Sequence, residues 1–258
     1  MKKLILASAL LVAYGAVNAQ DANLFNNNKV VAHRGAWKIG GLPQNSIASL
    51  KKAVELGCAG TEFDVHLTAD NVLVLCHDNS YMGMTIEKTT YNELVKQPLP
   101  NGEKLPTLKE YLVEGMKQNK TKLFLEIKSS STVERTVRTA EKAVGLVKEL
   151  GAEGWVFYIA FNYSAAKRIA ELDPKAQVAY LNGDASPQQL KGDKISGLDY
   201  NLNVFKKNRE WIKEAKTLGL NINVWTVNKP EDMDWLLEQG VDYITTDEPE
   251  MLLKKVSR

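Results

Sequence analysis

The stretch TEFDVHL, residues 61–67, sets Glu62, Asp64 and His66 at alternate positions and Phe63 and Val65 between them. In a strand successive side chains point to opposite faces, so two carboxylates and an imidazole share one side while the other is apolar. Taken alone, this suits an edge strand with one face in water. Other segments change the weighing. His33-Arg34-Gly35 ends an apolar run, and His77-Asp78 ends NVLVLCHD. Glu126 and Lys128 share a face of KLFLEIK, Trp225 stands in INVWTV, and YITTDEP ends near Asp247. Each residue has an ordinary structural reading by itself. Several strands directing ionisable or aromatic groups to one mouth make a reaction centre the better reading.

The residue types indicate the chemistry. Glu62, Asp64 and Glu126, with no cysteine among them, suit a hard divalent cation such as Ca2+ or Mg2+ better than zinc. Three carboxylates and such a cation leave one negative charge, and Arg34 with Lys128 turn this into one positive charge, which a phosphodiester neutralises. The planar guanidinium of Arg34 can hold two phosphate oxygens, and Lys128 supplies a point charge. His33 and His77 can serve as general acid and base because imidazole titrates near neutral pH. His66 is left over, and a supporting hydrogen bond is the better reading for it.

These groups must be positioned by a framework, and strand-like and helix-like segments alternate along the chain. KVVAHRG, TEFDVHL, NVLVLCHD, KLFLEIK, WVFYIAF, QVAYLNG, GLDYNLN, INVWTV and YITTDEP read as strands, one more than an eight-stranded barrel needs. TEFDVHL and NVLVLCHD are too close for a parallel crossover and must form a hairpin. Eight βα units remain, the pattern of an α/β (β/α)8 barrel with a hairpin extension. The irregular stretch from Asn79 to Pro106 reads as a small cap inserted after the second strand. If Asp70-Asn71 is a two-residue turn, residue 64 lies opposite residue 77, which makes Asp64 and His77 cross-strand neighbours. A longer turn shifts this pairing but leaves the two close.

Residues 1–19 carry the signs of an export signal: Lys2-Lys3, an apolar run from Leu4 to Val17, and small residues before Gln20. The mature chain, residues 20–258, is then expected to be one exported domain without a stable membrane anchor. Without Lys2 and Lys3 the Lys+Arg count falls from 33 to 31, equal to the 31 acidic residues. That balance gives no support to nucleic-acid or anionic-membrane binding. Cys58 and Cys76 stand at opposite ends of their elements and read as two buried free thiols. The oligomeric state is not legible.

HRG, EFD with a histidine 13 residues beyond its Asp, LPTLKEYL, LEIK, VWTVN and YITTDEP occur in an order that resembles the glycerophosphodiester phosphodiesterase family over nearly all of the mature chain. The resemblance implies a TIM barrel with a small cap and metal-dependent hydrolysis of glycerophosphodiesters to sn-glycerol 3-phosphate and an alcohol. It implies Glu62, Asp64 and Glu126 as metal ligands and His33 and His77 as the acid–base pair. It also implies that Arg34 and Lys128 contact phosphate and that Trp225 borders the substrate. The chain departs from the pattern at Pro43-Gln44-Asn45-Ser46, where the family usually has Pro-Glu-Asn-Thr, so Gln44 carries no charge. Two other activities compete. A barrel phospholipase would release a cyclic phosphate, whereas a barrel glycosidase would need two carboxylates but neither His33, Arg34 nor Lys128.

Overall fold

Short strands rich in branched and aromatic residues alternate with amphipathic helices in the computed structural model, which describes residues 25–257. The proposed export signal at residues 1–19 lies outside them. β1 (Val30–Ala32) leads through α1 (Ile47–Glu55) to β2 (Gly60–Leu67). β3 (Leu73–Leu75) then opens an insertion containing β4 (Ser80–Tyr81), β5 (Met84–Thr85), a 3-10 turn and α2 (Tyr91–Leu94). α3 (Leu108–Gly115) precedes β6 (Lys122–Ile127), α4 (Val133–Leu150), β7 (Val156–Ala160), α5 (Tyr163–Leu172) and β8 (Gln177–Tyr180). Next come α6 (Pro187–Gly192), β9 (Gly197–Asn201), α7 (Leu202–Lys207), α8 (Glu210–Leu218) and β10 (Asn221–Trp225). α9 (Pro230–Gln239), β11 (Tyr243–Thr246) and α10 (Pro249–Val256) complete the series.

β1, β2, β6, β7, β8, β9, β10 and β11 pair in parallel in that order, and β11 returns to β1 to close the ring. The expected (β/α)8 barrel is therefore present, with β3 as the extra strand outside the ring. Local chemistry sets the helix ends. Ser46, Thr132, Asn162 and Ser186 accept backbone N–H groups at the starts of α1, α4, α5 and α6, and left-handed glycines Gly151, Gly219 and Gly240 end α4, α8 and α9.

Alternation along the strands divides the core in two. Phe63, Val65, Leu123, Leu125 and Ile127 face outward to the helices, and Val31, Phe124, Phe157, Ile159 and Ala179 pack inside the ring. Phe124 and Phe157 stack with ring centroids 4.8 Å apart, and Tyr243 meets Phe124 edge-on at 5.1 Å. This aromatic plug lies two residues before Glu126 and Thr245 along β6 and β11, so it closes the ring beneath the polar positions. Gly60 is required there, because a Cβ would run into the Phe124 ring.

The hairpin register differs from the sequence reading by one residue. Val65 pairs with Leu75, His66 with Val74 and Leu67 with Leu73, so Asp64 stands opposite Cys76, whose N–H reaches the Asp64 carbonyl at 3.1 Å. The turn has three residues, 69–71, rather than two. Asn71 adopts φ 64°, and Thr68 Oγ1 accepts the Val72 N–H at 2.9 Å, so the extra residue is absorbed by a left-handed position and a side-chain bond.

Two further expectations need correction. β9 stops at Asn201, whose side chain accepts the Asn203 N–H and starts α7 two residues before the sequence pattern ends. Both cysteines are free, but only Cys58 is buried; Cys76 is half-buried where the chain leaves β3. The insertion carries its own small core of Tyr81, Ile86, Leu94 and Leu105 packed on Val74 of β3.

Candidate active site

β1, β2, β6, β7, β9, β10 and β11 deliver their inward side chains to one cavity above the aromatic plug, with an empty volume of about 490 Å³. His33, Arg34, Glu62, His77, Glu126 and Lys128 line it, and Trp225 forms part of its wall. Asp64 completes the polar group beside them. Seven of the eight predicted site residues thus line one cavity, and the eighth is bonded to them. A more open compartment shares His77, Glu126, Lys128 and Phe161 and adds Asp78 and Ser129.

The carboxylates lie close together. Glu62, Asp64 and Glu126 are all buried, and each offers an oxygen within 4.8 Å of the others. Glu62 Oε2 accepts the Arg34 N–H at 2.8 Å, but buried Oε1 has no partner. Burial, with Asp64 and Glu126 as negative neighbours, pushes the Glu62 carboxyl well above its ordinary range. Burial and Asp64 push Glu126 up to about 7. Asp64 behaves differently. Burial would raise it, but Lys128, the hydrogen bond from Asn45 and the nearby His77 outweigh that and lower it.

Lys128 Nζ lies 3.2 Å from Asp64 Oδ1 and 2.9 Å from Glu126 Oε1, and these charges raise its pKa despite burial. One ammonium thus bridges two of the three carboxylates. An all-oxygen donor set with an unpartnered oxygen and mutually repelling charges fits a hard divalent cation.

Arg34 occupies the left-handed region at φ 55°, as the chain turns out of β1. Its Nη1 donates to Gln44 Oε1 at 2.7 Å, and its Nε lies 3.8 Å from Asp64 Oδ2. Gln44 therefore steadies the guanidinium without neutralising it. The turn permits this because Gly35, at φ 80°, packs so tightly on Ser49 that no Cβ could be accommodated.

Both histidines are oriented through Nδ1. His33 Nδ1 lies 2.8 Å from Asp247 Oδ1, and His77 Nδ1 lies 2.7 Å from Asp78 Oδ1. An ionised carboxylate only accepts, so each Nδ1 carries the proton and each Nε2 is left for chemistry. Asp247 is suited to this. Burial would raise its carboxyl, but the bond and charge of His33 and the bond from Asn228 hold it below the usual range. His77 titrates lower than an ordinary imidazole, chiefly through burial and also through Lys128 and Arg34. His66 is buried, its Nε2 makes only a long 3.5 Å contact with the His77 carbonyl, and burial pushes its imidazole down to about 4. It is a neutral neighbour of the site at neutral pH.

The sequence reading missed two supports and several cavity residues, Phe161 and Asp199 among them. Asn45 donates to Asp64 Oδ2 at 2.8 Å and accepts the Asp64 N–H at 3.0 Å, so a left-handed Asn at φ 56° brackets the ligand candidate. Asp247 was noted only as a polar strand end, and its bond to His33 joins β11 to β1 across 214 residues of sequence. Asp199 lines the cavity from β9; an isolated acid between Leu198 and Tyr200 was the available signal.

Known proteins of similar sequence and fold point to one family. The model of the glycerophosphoryl diester phosphodiesterase family matches residues 33–251, from the first site histidine to the last helix. A glycerophosphodiester phosphodiesterase of Caldanaerobacter subterraneus is 31% identical over 245 residues, covering 89% of this chain and 98% of that protein. A crystal structure of a glycerophosphodiester phosphodiesterase from Parabacteroides distasonis is 47% identical with TM-score 0.87, covering 90% of this chain and 98% of the other. A phosphodiesterase of Oleispira antarctica, solved in complex with its product sn-glycerol-3-phosphate, is 25% identical with TM-score 0.75 over 89% of this chain and 97% of the other. With the ordered motifs, the closed barrel and these matches over nearly its whole described length, the chain belongs to the glycerophosphoryl diester phosphodiesterase family.

Proposed function

We propose that this protein hydrolyses glycerophosphodiesters to sn-glycerol 3-phosphate and an alcohol. The observation that carries the reading is one cavity holding two cationic side chains, two carboxylate-oriented histidines and a three-carboxylate cluster. Glu62, Asp64 and Glu126 would hold one divalent cation, Ca2+ or Mg2+, which when bound polarises phosphoryl oxygens and offsets the charge that develops on them. Arg34 and Lys128 bind the phosphate oxygens, and Gln44 keeps Arg34 in place at full charge. The Nε2 atoms of His33 and His77 exchange protons with the attacking and leaving oxygens. Phe161 and Trp225, packed edge-on with centroids 5.4 Å apart, form the apolar wall.

Phosphorus NMR of the purified protein with glycerophosphocholine, glycerophosphoethanolamine and glycerophosphoinositol, with and without Ca2+ or Mg2+, tests this. The expected result is a phosphomonoester resonance from sn-glycerol 3-phosphate that requires the cation. A stable cyclic phosphate would replace the reading with internal attack, and no reaction on any of the three would remove it.

Export is the second part of the proposal. The basic, apolar and small-residue order of residues 1–19 supports removal of this segment before Gln20. No helix among the described residues is long and apolar enough to cross a membrane. The expected mass of the exported protein is that of a chain beginning at or near Gln20, and an intact Met1 would sink the idea.

A further inference from the structure

Asp199 has no part in the scheme above, although it lies inside the reaction cavity. It comes from the centre of β9, is 1% exposed, and lines the cavity together with His33, Glu126, Trp225 and Thr245. Its two carboxyl oxygens differ. Oδ2 accepts Asn223 Nδ2 at 3.0 Å, whereas Oδ1 is buried without a hydrogen-bond partner. The surroundings fix it in place: Asn223 also donates to Thr245 Oγ1 at 2.9 Å, and Trp225 Nε1 donates to the Asp199 carbonyl at 2.8 Å. A buried polar atom left unpaired costs about 1–3 kcal/mol, so an unpaired oxygen on a cavity-lining side chain is a place for a ligand hydrogen bond.

The cavity is also asymmetric. Asp199 and Trp225 belong to the enclosed compartment, whereas Asp78 and Ser129 border the open one; His77, Glu126 and Lys128 lie between and line both. We propose that the enclosed compartment takes the glycerol moiety, with Asp199 Oδ1 hydrogen-bonding a glycerol hydroxyl, and that the open compartment takes the variable alcohol. This rests on the phosphodiesterase reading and adds which end of the substrate lies where. Burial and the nearby charge of Glu126 push the Asp199 carboxyl up to about 8, against the opposing bond from Asn223. The neutral acid then predominates at neutral pH, and its free oxygen can donate to a hydroxyl as well as accept from one. Asp199 is thus a specificity residue, reading hydroxyls that a plain alkyl phosphate lacks.

Calorimetric binding of sn-glycerol 3-phosphate and of n-propyl phosphate to the cation-loaded protein tests this without depending on turnover. The wild type is expected to prefer the glycerol compound by about tenfold, the scale of one hydrogen bond. Asp199→Ala is expected to abolish the preference, and Asp199→Asn, whose amide keeps both a donor and an acceptor, to retain most of it. An unchanged preference in Asp199→Ala overturns the assignment, as does a wild type that binds both phosphates equally. The second result is readable even if the alanine variant does not fold. Failure of the phosphodiesterase reading would show separately, as a wild type that hydrolyses none of the diesters.

Discussion

Replacing His33 or His77 with alanine is expected to lower turnover of glycerophosphocholine by about 100-fold or more, the scale for losing a positioned proton-transfer group. His66→Ala should cost much less. The three imidazoles are near one another, yet they differ in their partners. His33 and His77 each have Nδ1 held within 2.8 Å of a carboxylate, and both line the cavity. His66 is buried beside them with one long contact to a backbone carbonyl. If the two cavity histidines act as a unit, the double variant should be little slower than the slower single one. Steady-state kinetics of the four variants decide the matter. Near-normal turnover in His77→Ala, or a fall in His66→Ala as deep as in His33→Ala, would show that the wrong histidines had been chosen.

Chelation of the divalent cation is expected to abolish activity, and Asp64→Asn to raise the cation concentration needed to restore it. Asp64 is the carboxylate kept charged by its surroundings, with Lys128 at 3.2 Å and Asn45 at 2.8 Å, so its amide would remove the best anionic ligand without opening a hole. The cation should also appear in stability. Glu126 titrates at about 7 instead of its ordinary 4.5, so between these values the folded chain retains a proton that the unfolded chain releases. That contribution is fully present below pH 4.5 and is lost as the pH rises through about 7. The metal-free protein should therefore lose thermal stability across this window. Added Ca2+ or Mg2+ should restore it by binding the ionised form, more in the wild type than in Asp64→Asn. Melting curves with and without the cation give this result independently of turnover. Full activity after dialysis against excess EDTA would remove the cation from the mechanism.

The barrel and most of the cavity could be read from the sequence because both depend on local periodicity. Strand alternation placed Glu62 with Asp64 and Glu126 with Lys128 on common faces, and the short link after Leu67 required a hairpin. The features that escaped depend on contacts distant in the chain or on a single backbone angle. Asn45 braces Asp64 only because α1 is fed by a left-handed turn, and Asp247 reaches His33 only once the ring has closed. Asp199 was hidden for another reason. One acidic residue in a strand carries no periodic signal, and its significance lies in an unpaired oxygen that only the packed barrel reveals. The one-residue error in hairpin register came from treating Asn71 as the second residue of a two-residue turn when it is the left-handed third.

β1 is only three residues long and pairs with β2 only at Gly60 and Thr61. Higher up, β3 takes the edge of β2 that β1 leaves, pairing with residues 65–67 just beyond Asp64. Arg135 of α4 ties the same corner down, donating to the Leu67 and Thr68 carbonyls at 2.9 and 2.8 Å and pairing with Glu87 of the insertion at 3.6 Å. The inserted segment is thus riveted to the strand that carries the carboxylates, and it cannot swing as a rigid lid without tearing that ladder. Substrate is then expected to enter and leave between walls that the β2–β3 ladder holds in place.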